Sequence, residues 1–230
     1  MFIVFEGPDG SGKSTIAHKV YMQLSKLYQS GAFYYEFPVR ANVPSMVSYL
    51  TDKDTLVTPA QFQTLCTAQR YLYTHSKEEL VCEGIQDTVP SLAEYAVNTN
   101  RINIVTSRWS LSGIIYGAHD YSNYYNIPVE SAIRILEDCD SIVLKPNLTI
   151  VLMSKAPIST KRLKKDGDTY DTSSIQAEIW NLYNRYIYSD RMQKHIGDHE
   201  IITDVDTKSI QEVYDEVLDI LYTRLALHVR

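Results

Sequence analysis

The segment Gly7-Pro8-Asp9-Gly10-Ser11-Gly12-Lys13-Ser14 has the spacing G-x-x-x-x-G-K-[ST], and it follows the apolar run Phe2-Ile3-Val4-Phe5 with only Glu6 between. That pairing of run and loop constrains the chain more than any other feature. Glycines let backbone N–H groups curl around phosphate oxygens, a lysine at this spacing reaches the outer phosphates, and the hydroxyl after it can ligate Mg²⁺. The run before the loop reads as a strand and Ser14 to Leu27 as a helix, which is the context such a loop requires. A bound nucleoside triphosphate is expected, with Gly7, Gly10, Ser11, Gly12, Lys13, Ser14 and Thr15 at its phosphates and Ser14 on the metal.

Further apolar runs occur at Phe33–Phe37, Ile102–Thr106 and Leu148–Met153, with a weaker one at Glu200–Thr203, and helical stretches lie between them. Strands apolar on both faces and alternating with helices predict an α/β fold, a five-stranded parallel sheet flanked by helices. Ile210, Val213, Val217, Ile220, Leu221 and Leu225 recur at helical spacing after Thr207 and predict a last helix with that stripe in the core. The cluster Tyr121 to Tyr125 reads as a polar surface loop. Lys77–Asn100 reads as two helices or as a helix with an extended insertion, because Gly84 and Pro90 interrupt its pattern.

At 230 residues and 44% apolar, the chain suffices for one sizeable core, so a single domain over 1–230 is expected. A net charge of −6 argues against a general nucleic-acid surface and leaves phosphate recognition to local cations. Cys66, Cys82 and Cys139 are odd in number and scattered, which fits a reducing compartment better than a disulfide framework. Met1 already belongs to the first strand, and no apolar run approaches the roughly 20 residues that span a bilayer. A cytoplasmic protein that binds small nucleotides, without nucleic acid or membrane partners, is therefore expected.

Three segments bear on the second substrate. Phe37-Pro38-Val39-Arg40 ends the second predicted strand, and in a parallel sheet that end shares an edge with the phosphate loop. Arg40 is then placed for a second anion, to which a guanidinium offers a fork of donors. Leu65-Cys66-Thr67-Ala68-Gln69-Arg70 lies on a helix predicted from Pro59, where Arg70 could read a base edge. Ser107-Arg108-Trp109-Ser110-Leu111-Ser112-Gly113 follows the strand Ile102–Thr106 on the same edge. Lys161, Arg162, Lys164 and Lys165 form a dense basic run just before Asp166-Gly167-Asp168, which suits a closing lid that brings cations over a transferring phosphoryl group.

Together these segments resemble the thymidylate kinases, phosphate-loop nucleoside monophosphate kinases that phosphorylate dTMP. Phe37-Pro38-Val39-Arg40 is similar to the family's F-P-x-R, Ala68-Gln69-Arg70 to its A-N-R, Ser107 to Gly113 to its D-R-Y-x-x-S-G, Lys145-Pro146-Asn147-Leu148 to its K-P-D-L, and Gly167 to Asp171 to its lid. The resemblance implies ATP as donor, Mg²⁺, a small lid over about 162–173 and a homodimer. It implies that Lys13, Arg108, Arg162 and Asp9 serve transfer, with Lys164 and Lys165 at the donor. It assigns the acceptor to Asp9, Phe37, Pro38, Arg40, Cys66, Arg70, Trp109, Ser112, Gly113, Tyr116 and Tyr170, and Tyr170 would disfavour a ribose 2′-hydroxyl.

Two departures stand out. Ser107 occupies the place of the family's carboxylate, so Asp9 or an acid from Glu83–Asp87 is expected to compensate, unless Mg²⁺ is held by Ser14, water and the triphosphate. Cys66 occupies the place of a phenylalanine that stacks on thymine, which forfeits roughly 1–3 kcal/mol by analogy with base-stacking proteins, and Trp109 and Tyr116 are the candidate replacement rings. A modified pyrimidine deoxynucleotide, a deoxynucleoside kinase acting on a 5′-hydroxyl and a nucleotide-binding protein without turnover remain as alternatives.

Overall fold

The computed structural model describes residues 1–27, 31–39, 43–52, 55–75, 78–82, 85–89, 92–99, 102–157, 170 and 172–225. Its centre is a five-stranded sheet in the order β2-β5-β1-β6-β7, made of β1 (Phe2–Glu6), β2 (Ala32–Glu36), β5 (Asn103–Ser107), β6 (Leu148–Leu152) and β7 (His199–Ile202). All four strand pairings are parallel. Every residue of β1, β5 and β6 is buried, because helices cover both faces of these inner strands, whereas the edge strands β2 and β7 are only partly covered.

On one face, Ile3 and Phe5 of β1 meet Ile16, Ala17, Val20 and Leu24 of α1 (Lys13–Leu27), with Val213, Val217 and Leu221 of α9 (Ile210–Arg224) behind them. The spacing of those α9 residues sets one stripe inward, and each such side chain contributes about 1.5–3 kcal/mol on burial. Ser209 and Glu212 close a capping box at the start of α9. Ile210, expected in the stripe, stands 56% exposed at that first turn.

On the opposite face, Phe2 and Val4 pack with Ile104, Trp109 and the alanines Ala93 and Ala96 of α4 (Leu92–Thr99). A larger cluster joins α2 (Pro44–Thr51), α3 (Pro59–His75), α5 (Ser110–Tyr125), α6 (Val129–Asp140), α7 (Ser173–Tyr186) and α8 (Met192–Ile196).

Two readings of the sequence are corrected. Within Lys77–Asn100 the chain forms an antiparallel hairpin of β3 (Glu78–Cys82) and β4 (Ile85–Val89), followed by α4. Tyr121 to Tyr125 is the final part of α5, which runs on until Asn126 turns left-handed at φ +51°. The two strands of the hairpin, Glu-Glu-Leu-Val-Cys and Ile-Gln-Asp-Thr-Val, are too short and mixed to show a clear strand period, and the polar run Tyr121-Ser122-Asn123-Tyr124-Tyr125 hid the end of the helix.

Candidate active site

The phosphate loop sits between β1 and α1. Gly7 adopts φ +139°, and a Cβ there would lie 2.3 Å from the Leu152 carbonyl oxygen at the end of β6, so no larger residue fits without moving backbone. Gly12 has open space around it, and its φ of +86° alone sets the requirement. Ser11 Oγ is buried with no hydrogen-bond partner, as suits a hydroxyl that a phosphate oxygen would satisfy. The first amides of α1 likewise have no carbonyl one turn back and point toward the same place. Lys13 Nζ donates to the Pro8 carbonyl at 3.1 Å and to Asp9 Oδ1 at 3.2 Å. Its pKa is pushed down to about 8, by burial first and by Arg108 second, with Asp9 opposing.

Asp9 is the hub of the site. Arg108 Nη2 pairs with Oδ1, and Tyr116 Oη donates to Oδ2 at 2.8 Å. Burial would raise the Asp9 pKa, but the Arg108 and Lys13 cations and the tyrosine outweigh it and hold the carboxyl well below the usual range. Arg108 follows β5 directly and takes φ +70°, a conformation that costs a non-glycine residue about 1–3 kcal/mol. It is held there by its N–H on the Phe5 carbonyl at 2.9 Å, by Asp9, and by the Tyr116 ring, 4.9 Å from its guanidinium carbon.

Glu6, which the sequence reading passed over, joins the loop to α5. It is fully buried and accepts hydrogen bonds from Trp109 N at 2.7 Å, Ser112 N at 3.2 Å and the Ser112 hydroxyl. A carboxylate thus meets the amides of the first turn of α5, where helix ends carry unmatched donors. Burial raises its pKa, while those hydrogen bonds and Arg108 oppose the rise. An acid closing an otherwise apolar strand was the signal available.

Facing the loop across Asp9 is an open cleft. Arg108, Ser112, Gly113, Tyr116, Tyr170, Phe37 and Pro38 are among the residues that line it. Arg70 lies in its wall, 5% exposed, and its Nη2 donates to Asp140 Oδ1 at 2.8 Å and to Thr67 Oγ1 at 3.2 Å. Gly113 makes room for it, since a Cβ there would stand 2.8 Å from Arg70 Nη1. Gln69, next to Arg70, pins the strand-end loop by accepting from Val39 N at 3.1 Å and donating to Val39 O at 2.8 Å. Tyr170 donates to Asp120, which Tyr49 also reaches at 2.6 Å, and its carbonyl accepts from Gln176.

The rings are placed differently from expectation. Cys66 is not among the residues that line the cleft; it is buried in the core cluster that also holds Phe62 and Leu111. Phe62, one turn earlier on α3, lines the cleft with Gln63 and stacks on Tyr49 at 4.2 Å and 13°. Trp109 forms part of the wall, but its ring is 1% exposed, edge-on to Phe2 and Phe37, with Nε1 on the Leu144 carbonyl. Tyr116 is committed to Asp9 and Arg108. The resemblance pointed to position 66, whereas helix geometry puts residue 62 on the same side, one turn away.

Arg40, Arg162, Lys164, Lys165 and Glu83 lie outside the described residues, as does most of the expected lid. Among the described residues, no helix is long and apolar enough to cross a membrane.

A phosphate loop at the carboxyl edge of a parallel sheet, with an arginine-walled cleft facing it across Asp9, defines a phosphate-loop nucleoside monophosphate kinase. The chain belongs to the thymidylate kinase family, whose model matches residues 5–217. It is 28% identical over 236 residues to the thymidylate kinase of Finegoldia magna, covering 99% of this chain and 100% of that one. It is 23% identical over 219 residues to that of Dictyostelium discoideum, covering 94% and 85%. In fold it is similar to the thymidylate kinase structure from Candida albicans, with a TM-score of 0.67, 23% identity and coverage of 96% and 91%. It is also similar to that from Ehrlichia chaffeensis, with a TM-score of 0.55, 20% identity and coverage of 96% and 97%.

Proposed function

We propose that this chain transfers the γ-phosphoryl group of ATP to dTMP, with positioning and charge neutralisation as its means of catalysis. The observation that carries the reading is the Lys13–Asp9–Arg108 chain of ion pairs, which links the phosphate loop to the arginine-walled cleft. Lys13 and the loop amides hold the donor, and Arg108 neutralises charge on the group in flight. Arg70 and Phe62 form the base end of the cleft, where a ring and a guanidinium would stack on and hydrogen-bond a pyrimidine. Tyr170, tied to Asp120, closes the sugar end. In this reading Arg40 clamps the acceptor phosphate, and Arg162, Lys164 and Lys165 bring further cations from the lid. The acceptor phosphate is already an anion, so no strong base is needed.

Ser14 offers a hydroxyl among other oxygen donors, the chemistry Mg²⁺ favours, and the ion when bound would neutralise the donor's phosphates. Incubation with ATP, Mg²⁺ and a panel of deoxynucleosides and their monophosphates tests the reading. Diphosphate product from dTMP is expected. Monophosphate made from a deoxynucleoside would overturn it in favour of a 5′-hydroxyl kinase, and no product with intact ATP binding would leave a binding protein.

A cytoplasmic location and nucleotide partners, without nucleic acid or membrane, accord with the net charge of −6. A homodimer through α3 is supported by Leu72 and Tyr71 there, 58% and 39% exposed. Gel filtration should then give twice the chain mass, and elution as a monomer would refute the pairing.

A further inference from the structure

Three oxygen-bearing side chains meet at the start of α1. Ser14 Oγ lies 2.9 Å from Glu36 Oε1 and 2.9 Å from Ser107 Oγ. Glu36 and Ser107 are the last residues of β2 and β5 and direct partners in the register of that pair. Neighbouring strands stand about 4.8 Å apart, so strand pairing sets these two side chains beside each other on the edge that faces the donor. Ser107 is fully buried, while Glu36 is exposed and reaches Ser14 from the solvent side.

Asp9, the acid first expected to compensate for Ser107, is already engaged by Arg108, Lys13 and Tyr116. Glu36 is hydrogen-bonded to the Ser14 hydroxyl itself.

We propose that Glu36 supplies from β2 the carboxylate that a serine at 107 cannot, holding Mg²⁺ or its water shell beside Ser14 on the phosphates of the donor. The proposal rests on the kinase reading above. Mg²⁺ keeps several waters and takes one or two carboxylates together with substrate phosphates. One carboxylate and two hydroxyls fit that habit. Among the described residues, no cluster of three or more His, Cys, Asp or Glu is arranged to hold a metal unaided, which also favours joint binding with the nucleotide. The acid has moved by one strand. Glutamate, longer than aspartate by one methylene, spans part of that shift, and Ser107 keeps a hydroxyl where a second carboxylate would repel Glu36.

The test uses Mn²⁺ in place of Mg²⁺, with a non-hydrolysable ATP analogue at saturation and free Mn²⁺ read by electron paramagnetic resonance. Glu36→Gln is expected to weaken Mn²⁺ binding by about 10-fold or more, in the range found when groups that orient metal ligands are removed. Glu36→Asp, which keeps the charge, should lose less, and Glu36→Gln/Ser107→Asp should recover most of the affinity by returning a carboxylate to β5. Glu36 is exposed, so Glu36→Gln should melt like the wild type. Unchanged Mn²⁺ affinity in that variant overturns the assignment of Glu36. A folded double variant as weak as Glu36→Gln overturns the idea that the acid has changed strands. Failure of the wild type to bind the ATP analogue would overturn the kinase reading itself, and with it this proposal.

Discussion

Lys13→Ala lowers kcat/KM for ATP by about 10²–10³-fold, the loss typical when one preorganised donor is removed from a developing charge. The ammonium lies inside the loop against Pro8 O and Asp9, and its removal also leaves Asp9 with Arg108 as its remaining cation. The same side chain sets a pH limit. Its pKa in the folded protein is pushed down to about 8 from an ordinary 10.5, so the cation that holds the triphosphate is lost as pH rises through about 8. The pH profile of kcat/KM, which reports the free enzyme, should turn downward there. Unfolding of Lys13's own making is not the cause. Between about 8 and 10.5 the unfolded chain holds this proton more tightly than the folded one, so this group's contribution to stability increases with pH. A profile flat to pH 10 would show that Lys13 keeps its proton there and would overturn the lowered pKa.

Asp140→Ala is expected to cost about 3–5 kcal/mol, because it leaves the Arg70 guanidinium buried without its counter-charge. For a chain of this size that is a fall in Tm of roughly 10 °C. It should also raise the acceptor KM with little change in the ATP KM, since Arg70 lines the cleft and hydrogen-bonds to Trp109, Thr67 and Asp140, which lie outside the phosphate loop. Two further variants separate the effects. Arg70→Met/Asp140→Leu removes both charges and should recover most of the stability but none of the acceptor affinity. Gly113→Ala, whose Cβ would crowd both Nη1 and Nη2 of Arg70, should displace the guanidinium and raise the acceptor KM while both charges stay in place. Equal changes in both KM values across this set would take Arg70 out of the acceptor site. Thermal melting and steady-state kinetics on the two substrates are the measurements.

The donor half of the site was legible because it is local. Gly7 to Ser14 is one stretch of chain, and the positive φ of Gly7, Gly10 and Gly12 follows from the type of loop their spacing announces. The apolar runs at β1, β5 and β6 were legible for a related reason: a strand buried on both faces shows no alternation and is read as a continuous apolar segment. Position along the predicted helix and strand brought Arg70 and Arg108 into consideration, the resemblance added Tyr170, and the fold places all three on the cleft.

What the sequence could not show depends on partners far apart in the chain. Glu6 looks like an accident at the end of a strand until Trp109 and Ser112 arrive to hydrogen-bond it. Phe62 looks like an ordinary core residue until α3 turns it, rather than Cys66, toward the cleft. Asp140, at the end of α6, has no link to Arg70 in sequence, 70 residues away, and becomes its counter-ion only through helix packing.

By itself, then, the sequence determined that a phosphate-loop motif spans Gly7–Ser14, that a parallel sheet carries it and that polar residues follow other strands at the same edge. Short-range spacing and hydrophobic runs dictate these, and neither needs knowledge of distant contacts. Only the tertiary structure decided which acid stands beside Ser14, which ring of α3 lines the cleft and which carboxylate neutralises Arg70. Each of those is a meeting of two elements whose register is set by burial of the whole sheet and its helices, and Glu36 opposite Ser107 is the clearest case.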